Sequence, residues 1–179
     1  MTNSSGTVQA KSAAIWLLYV LSCLWLAIAM SWWVYARFDY GYGFWYDRLD
    51  IGAHIQRYAS QHPQKPGFAQ LPREQHLQAF RQIRLAVHNQ GQGLDNIVFM
   101  APGGAAVRLL DEAETQHLRD VAALITRGQH GTVGALAGAI LCLLWFRRRP
   151  LPAARFRAGA IATLSAALTV LLLVAGPKQ

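Results

Sequence analysis

The residues best suited to acid–base chemistry are Glu114, His117 and Asp120, spaced i, i+3 and i+6. On a helix His117 lies one turn from either acid, so a carboxylate can reach its imidazole. A carboxylate fixes the tautomer and raises the basicity, as a general base requires. Val121 and Leu124 fall on the same face, so the pattern predicts His117 pointing inward. A histidine that merely packs or caps fits the same spacing. His88, in Val87-His88-Asn89-Gln90-Gly91, closes another helix, where an imidazolium is favourable; it reads as a second candidate for the chemistry or as a simple C-terminal cap. His54 stands four residues after Asp50 and reads either as a polarised base or as a solvated surface pair.

Other chemistries are less well supplied. No HxxxH, HExxH or HxH spacing occurs, so a zinc site would have to be assembled from distant histidines. Residues 37–127 hold one serine, Ser60, outside any Gly-x-Ser-x-Gly context, and no cysteine. Both cysteines, Cys23 and Cys142, lie in apolar stretches, so neither a disulfide framework nor a thiol nucleophile is expected in the polar block. Gly91-x-Gly93 and Gly103-Gly104 are turn material without the strand-to-helix setting of a nucleotide fingerprint. The sequence calls for no cofactor and no metal.

These groups are held by a sharply partitioned chain. All nine acidic residues and all six histidines lie between Asp39 and His130. Residues 12–36, 128–146 and 158–177 carry no formal charge. A hydrocarbon core ~30 Å thick needs ~20 apolar residues in a helix. The expected fold is a mainly α membrane protein with three transmembrane helices, and a small α-rich domain containing a β-hairpin between the first and second. Ala27-Ile28-Ala29 has the small-x-small form of a cleavage site. The apolar stretch exceeds the ~7–15 residues of a signal core, so it reads as a retained anchor.

Sidedness follows from the basic residues. Lys11, Lys178 and the five arginines of residues 147–157 flank the apolar stretches with no acid among them. Positive residues near span ends stay in the cytoplasm. The reading is therefore 1–11 cytoplasmic, 12–36 a span, 37–127 external, 128–146 a span, 147–157 a cytoplasmic loop, 158–177 a span, and 178–179 external. The block 37–127 has ten basic and nine acidic residues, so the formal +8 is a topology signal and not a sign of nucleic-acid binding. Gly134-x-x-x-Gly138, beside Ala135 and Ala139, predicts close packing of the second span, in a hairpin with the third. Nine aromatics between Trp32 and Tyr46 read as an anchoring belt at the external interface, or as the lipid-contacting wall of a site.

Within the block, the patterning predicts a helix over 46–60, with Leu49, Ile51 and Ile55 apolar, and a breaker over 61–67. A second helix starts near Pro72, with Leu77, Phe80, Ile83 and Val87 as its stripe and Arg73, Arg81 and Arg84 as its wet face. Residues 96–100 and 106–110 flank Pro102-Gly103-Gly104 as a hairpin. Asp111-x-x-Glu114 has capping-box spacing and starts a third helix, broken at Gly128 or Gly131 before the second span.

The order of an N-terminal span, an external domain ending in His117-Leu118-Arg119-Asp120-Val121-Ala122-Ala123-Leu124, and a span leading to a basic loop resembles a bacterial integral-membrane family. That family includes the lipoprotein intramolecular transacylase. The stretch VHNQGQGLDNIVF at 87–99 is similar to proteobacterial relatives, and the resemblance covers residues 14–177. It implies a cytoplasmic-membrane protein that moves an acyl chain from a lipoprotein's diacylglyceryl group to its N-terminal amine, with membrane lipid and the lipoprotein N-terminus as partners. It further implies His117 as the base, with Asp120 as its orienter; such chemistry also needs a group facing the oxyanion, for which Arg119, His88 or amides near Gly91–Gly93 are the candidates in this sequence. The family's further external segment, with a second histidine, would begin where this sequence stops at Gln179, so a truncated or reduced, inactive relative is also expected. The alternative from another class is a non-catalytic membrane assembly or binding protein that uses its external domain and its GxxxG hairpin.

Overall fold

A computed structural model describes residues 3–60, 63–148, 158–159 and 161. The expected third span apart from residues 158, 159 and 161, the C-terminus, most of the basic loop, and His62 lie outside the described residues. The structure is mainly α. The helices are α1 (Asn3–Arg37), α2 (Tyr42–Arg48), α3 (Ile51–Ala59), α4 (Arg73–His88) and α5 (Glu112–Arg148), with short turns between the first three and longer segments on either side of α4. Strands β1 (Val98–Met100) and β2 (Ala106–Arg108) form one antiparallel hairpin. Two helices, α1 from Lys11 and α5, are long and apolar enough to cross a membrane. The chain divides into two compact units, residues 34–127 and residues 1–33 with 128–179.

In the apolar unit, α1 and α5 run antiparallel. The indole of Trp25 donates to Thr132 Oγ1 at 3.2 Å, and Tyr19 meets Phe146 edge to face at 5.8 Å. Ala139, Cys142 and Phe146 form the buried stripe of α5. The small residues serve this pairing. A Cβ on Gly131 would lie 3.0 Å from the Trp25 ring, and one on Gly138 would lie 3.2 Å from Ser22 Oγ. Gly138 of the GxxxG motif thus faces α1, whereas Gly134 has open space around it. The predicted break at Gly128 or Gly131 is absent, and α5 continues for 37 residues. An interior glycine weakens a helix by only ~1 kcal/mol, and at Gly131 it admits the Trp25 ring.

The unit 34–127 is built around α4. Ala79, Ala86 and Val87 of that helix pack with Leu94, Ile97 and Phe99, with Leu109 and Leu110, and with Ala122 of α5. Pro72 precedes the first helical residue in extended conformation, as its fixed φ favours. The hairpin pairs Val98 with Arg108, Phe99 with Val107 and Met100 with Ala106. The capping box forms in full, with Glu114 N–H donating to Asp111 Oδ1 at 2.7 Å and Asp111 N–H to Glu114 Oε2 at 3.0 Å. The helix expected over 46–60 is instead two helices. They meet at Leu49-Asp50, where Asp50 adopts φ +49°. Helix α2 also begins earlier, at Tyr42, because the aromatic run packs on α4.

Candidate functional site: the α4 ladder and its groove

Residues four apart share one helix face, and α4 presents His76, Phe80, Arg84 and His88 in that way. The segment 39–47 docks on this face rung by rung. Arg73 forms a forked pair with Asp47 at 2.7 and 2.6 Å. That pair holds the Asp47 carboxyl below the usual carboxylate range, chiefly through the hydrogen bonds. Arg73 also donates to the Gly43 carbonyl and lies over the Tyr46 ring. Buried His76 has both ring nitrogens occupied, Nε2 by the Phe68 carbonyl at 2.9 Å and Nδ1 by the Tyr46 hydroxyl at 2.7 Å. A carbonyl only accepts, so Nε2 carries the proton, and the neutral tautomer lets Tyr46 donate to Nδ1. Tyr42 stacks on Phe80 at 3.9 Å.

The upper rungs are ionic and titratable. Asp39 accepts from Arg84 at 2.7 Å and from Arg81 at 3.0 Å, and the Arg84 side chain is only 15% exposed. Tyr40 Oη lies 2.6 Å from His88 Nε2, and Tyr35 meets Tyr40 edge to face. Burial, then the charge of Arg84, holds the His88 pKa below its ordinary value. Burial raises the Tyr40 phenol, partly offset by Arg84. The favoured state is a phenol donating to a neutral imidazole, which leaves the ring proton of His88 on Nδ1. His88 therefore does not act as the charged cap expected at a helix end. A phenol and an imidazole in hydrogen-bond contact are chemically able to pass a proton between them. The backbone beneath them is strained, with φ of +51° at Asp39, +55° at Tyr40 and +64° at Gly41. A left-handed residue other than glycine costs about 1–2 kcal/mol, so the side-chain bonds to α4 hold this run in place.

The other sequence-predicted residues are dispersed. His117 is exposed, and so is Leu124. The inward face of α5 is instead Thr115, Leu118, Ala122 and Ile125. The acids beside His117 are bonded elsewhere. Glu114 accepts from Lys65 Nζ through both oxygens at 2.6 and 2.7 Å, besides its cap bond, and Asp120 accepts from Gln116 at 3.2 Å. Arg119 pairs with Asp95, whose other oxygen takes Arg108 at 2.7 Å. His54 lies against the Asp50 carbonyl, not its carboxylate, at 3.3 Å and stacks on Tyr58. His54 is held by Asp50 and Tyr58, and His88 by Tyr40. Among the described residues no three His, Cys, Asp or Glu side chains are grouped as a metal ligand set.

Between α4 and β1 lies an open groove of about 620 Å³ lined by Gln82, Leu85, Asn89, Gln92, Asn96 and Val98, with buried Ala86 and Ile97 beneath. Four of those side chains are carboxamides and none is charged, although the chain carries +8 overall. Carboxamides both donate and accept, so the groove suits a neutral ligand rich in hydrogen-bonding groups. Gln92 and Asn96 are positioned by a tight turn, in which Gly91 N–H returns to the Ala86 carbonyl at 2.9 Å and Asn96 N–H to that of Gly93 at 3.0 Å. The sequence signal for the ladder was the His76-Phe80-Arg84-His88 spacing beside the aromatic run. The chain matches no protein-family model, no curated protein and no solved structure.

Proposed function

We propose that this protein is a membrane-anchored binding protein. Its unit 34–127 stands on the outer face of a bacterial cytoplasmic membrane and contacts its ligand through the carboxamide-lined groove. The observation that carries this reading is that groove, a neutral hydrogen-bonding surface on a well-packed scaffold. Two crossing helices would leave the intervening domain on one side of the bilayer. Lys11 together with Arg147 and Arg148 favours the cytoplasm for the opposite ends. The test places a photoreactive amino acid at Gln92 or Asn96 of the full chain in living cells, with Gln116 on the exposed face of α5 as the control. Adducts specific to the groove positions are expected. Equal or absent adducts at all three positions would remove the groove as a binding surface.

A second reading is favoured by the Tyr40–His88 pair and by the transacylase-like segment at 117–124. In it the protein transfers an acyl chain on a lipoprotein N-terminus, with a neutral histidine as the base that deprotonates the attacking amine. His88, three residues of chain and one tyrosine away from the end of α1, is the base this geometry favours, while the resemblance favours His117 with Asp120. Mass spectrometry of lipoprotein N-termini from cells producing the wild type, His88→Ala or His117→Ala separates them. Loss of the acylated product in one variant identifies the base. An unchanged product in both removes the acyl-transfer reading.

A further inference from the structure

We propose that the unpaired edge of β1 takes up an extended, uncharged polypeptide segment of a partner as an added strand, with the groove carboxamides holding its backbone. This deepens the binding reading and rests on it. Among the described residues the sheet is two-stranded, so β1 has one edge without a hydrogen-bonded strand beside it. Leu109 N–H bonds the Ile97 carbonyl at 2.9 Å and Ala101 N–H bonds the Ala105 carbonyl at 2.9 Å. In an antiparallel ladder the hydrogen-bonded pairs alternate. Ile97, Phe99 and Ala101 therefore turn their backbone groups toward β2, and Val98 and Met100 turn theirs outward.

Three further features favour a polypeptide on this edge. Phe99 is buried in the core, which fixes the strand, while Val98 and Met100 are 49% and 54% exposed. The edge residues Val98, Phe99 and Met100 include no lysine, proline or charge of the kind that normally protects an edge. The opposite edge is different, since Arg108 of β2 is paired with Asp95. Finally, the groove runs onto Val98 and offers Asn96 with the Asn89 oxygen and the Gln92 amide N–H groups, left over from the 3.3 Å bond of Asn89 Nδ2 to Gln92 Oε1, beside 53% exposed Leu85. Strand addition gains affinity from the main chain and selectivity from alternate side chains. The matching segment is therefore extended, uncharged and apolar at every second position.

Val98→Pro tests this directly. It removes an outward N–H and leaves the bonds to β2 in place. The full-length protein in detergent micelles is titrated with a dye-labelled, end-capped octapeptide of alternating valine and serine, and with the same peptide N-methylated at alternate residues. Saturable binding of the first peptide is expected, about tenfold or more weaker for Val98→Pro and for the methylated peptide, since each loses main-chain hydrogen bonds. The methylated peptide keeps the test valid if the proline variant does not fold. Equal binding of the two peptides by the wild type would overturn strand addition. Groove-specific photo-adducts to lipid or glycan alone would also overturn it while leaving the binding reading intact, whereas absence of groove-specific adducts would overturn both.

Discussion

At the scale of single residues, the domain's chemistry is concentrated in pairs that neutralise one another, and His88 is a histidine whose state the surroundings constrain. Its pKa is depressed by burial and by Arg84, with Tyr40 and Asp39 the other polar groups at hand. The unfolded chain therefore takes up a proton below its ordinary value near 6.5, while the folded domain resists it. The contribution to stability is fully present above that value and is lost as pH falls below it toward the lowered folded pKa. Thermal unfolding followed by near-ultraviolet dichroism across pH 5–8 (on the order of three pH units around the histidine range) should show this decline. His88→Gln, which keeps an acceptor for Tyr40, should show less of it; an identical slope would remove His88 as its source. Tyr40→Phe should cost about 1 kcal/mol, the net worth of one hydrogen bond, read from the same unfolding curves.

At the scale of elements, two small features should be unusually sensitive. Gly67 has φ +81°, and a Cβ there would stand 2.4 Å from Pro102 Cδ. Gly67→Ala should therefore destabilise by more than the ~1 kcal/mol of a strained φ, because the 63–70 loop must leave the hairpin turn. Asp111→Ala removes one half of the capping box and should cost about 0.5–2 kcal/mol. A melting temperature unchanged by either variant would contradict the corresponding contact. The capping box, the start of α4 and the hairpin were legible in the sequence because each is written within a few residues. The docking of Tyr46, Tyr42, Asp39 and Tyr40 on α4 was not, because it joins residues 30 to 48 positions apart and only tertiary packing selects it. The inward orientation of His117 was misread because Leu124, taken as a core residue, is exposed, while Leu118, Ala122 and Ile125 set the true face. The predicted α5 break weighed local glycine propensity without the aromatic ring that Gly131 accommodates.

At the scale of the whole molecule, the absence of cysteine from residues 37–127 gives a clean probe of sidedness. Gly103 is exposed with no atom within 4 Å of an added Cβ. Gly103→Cys should react with a membrane-impermeant maleimide on intact cells, and Arg148→Cys should react only after lysis. The reverse pattern would invert the proposed topology. The left-handed run at Asp39-Tyr40-Gly41 has a further consequence, for biogenesis. Tyr40 is synthesised 48 residues before its partner His88, a delay of roughly 2–10 s at about 5–20 residues per second. Through that interval the strained turn lacks its bonds to α4, because Arg81, Arg84 and His88 do not yet exist. The aromatic segment leaves the ribosome directly behind α1, and tyrosine and tryptophan rings favour the headgroup zone. On the proposed topology a lipid surface would be the first environment available to these rings, from which α4 would draw them as it forms. The turn would then be a late latch, closed from its C-terminal side.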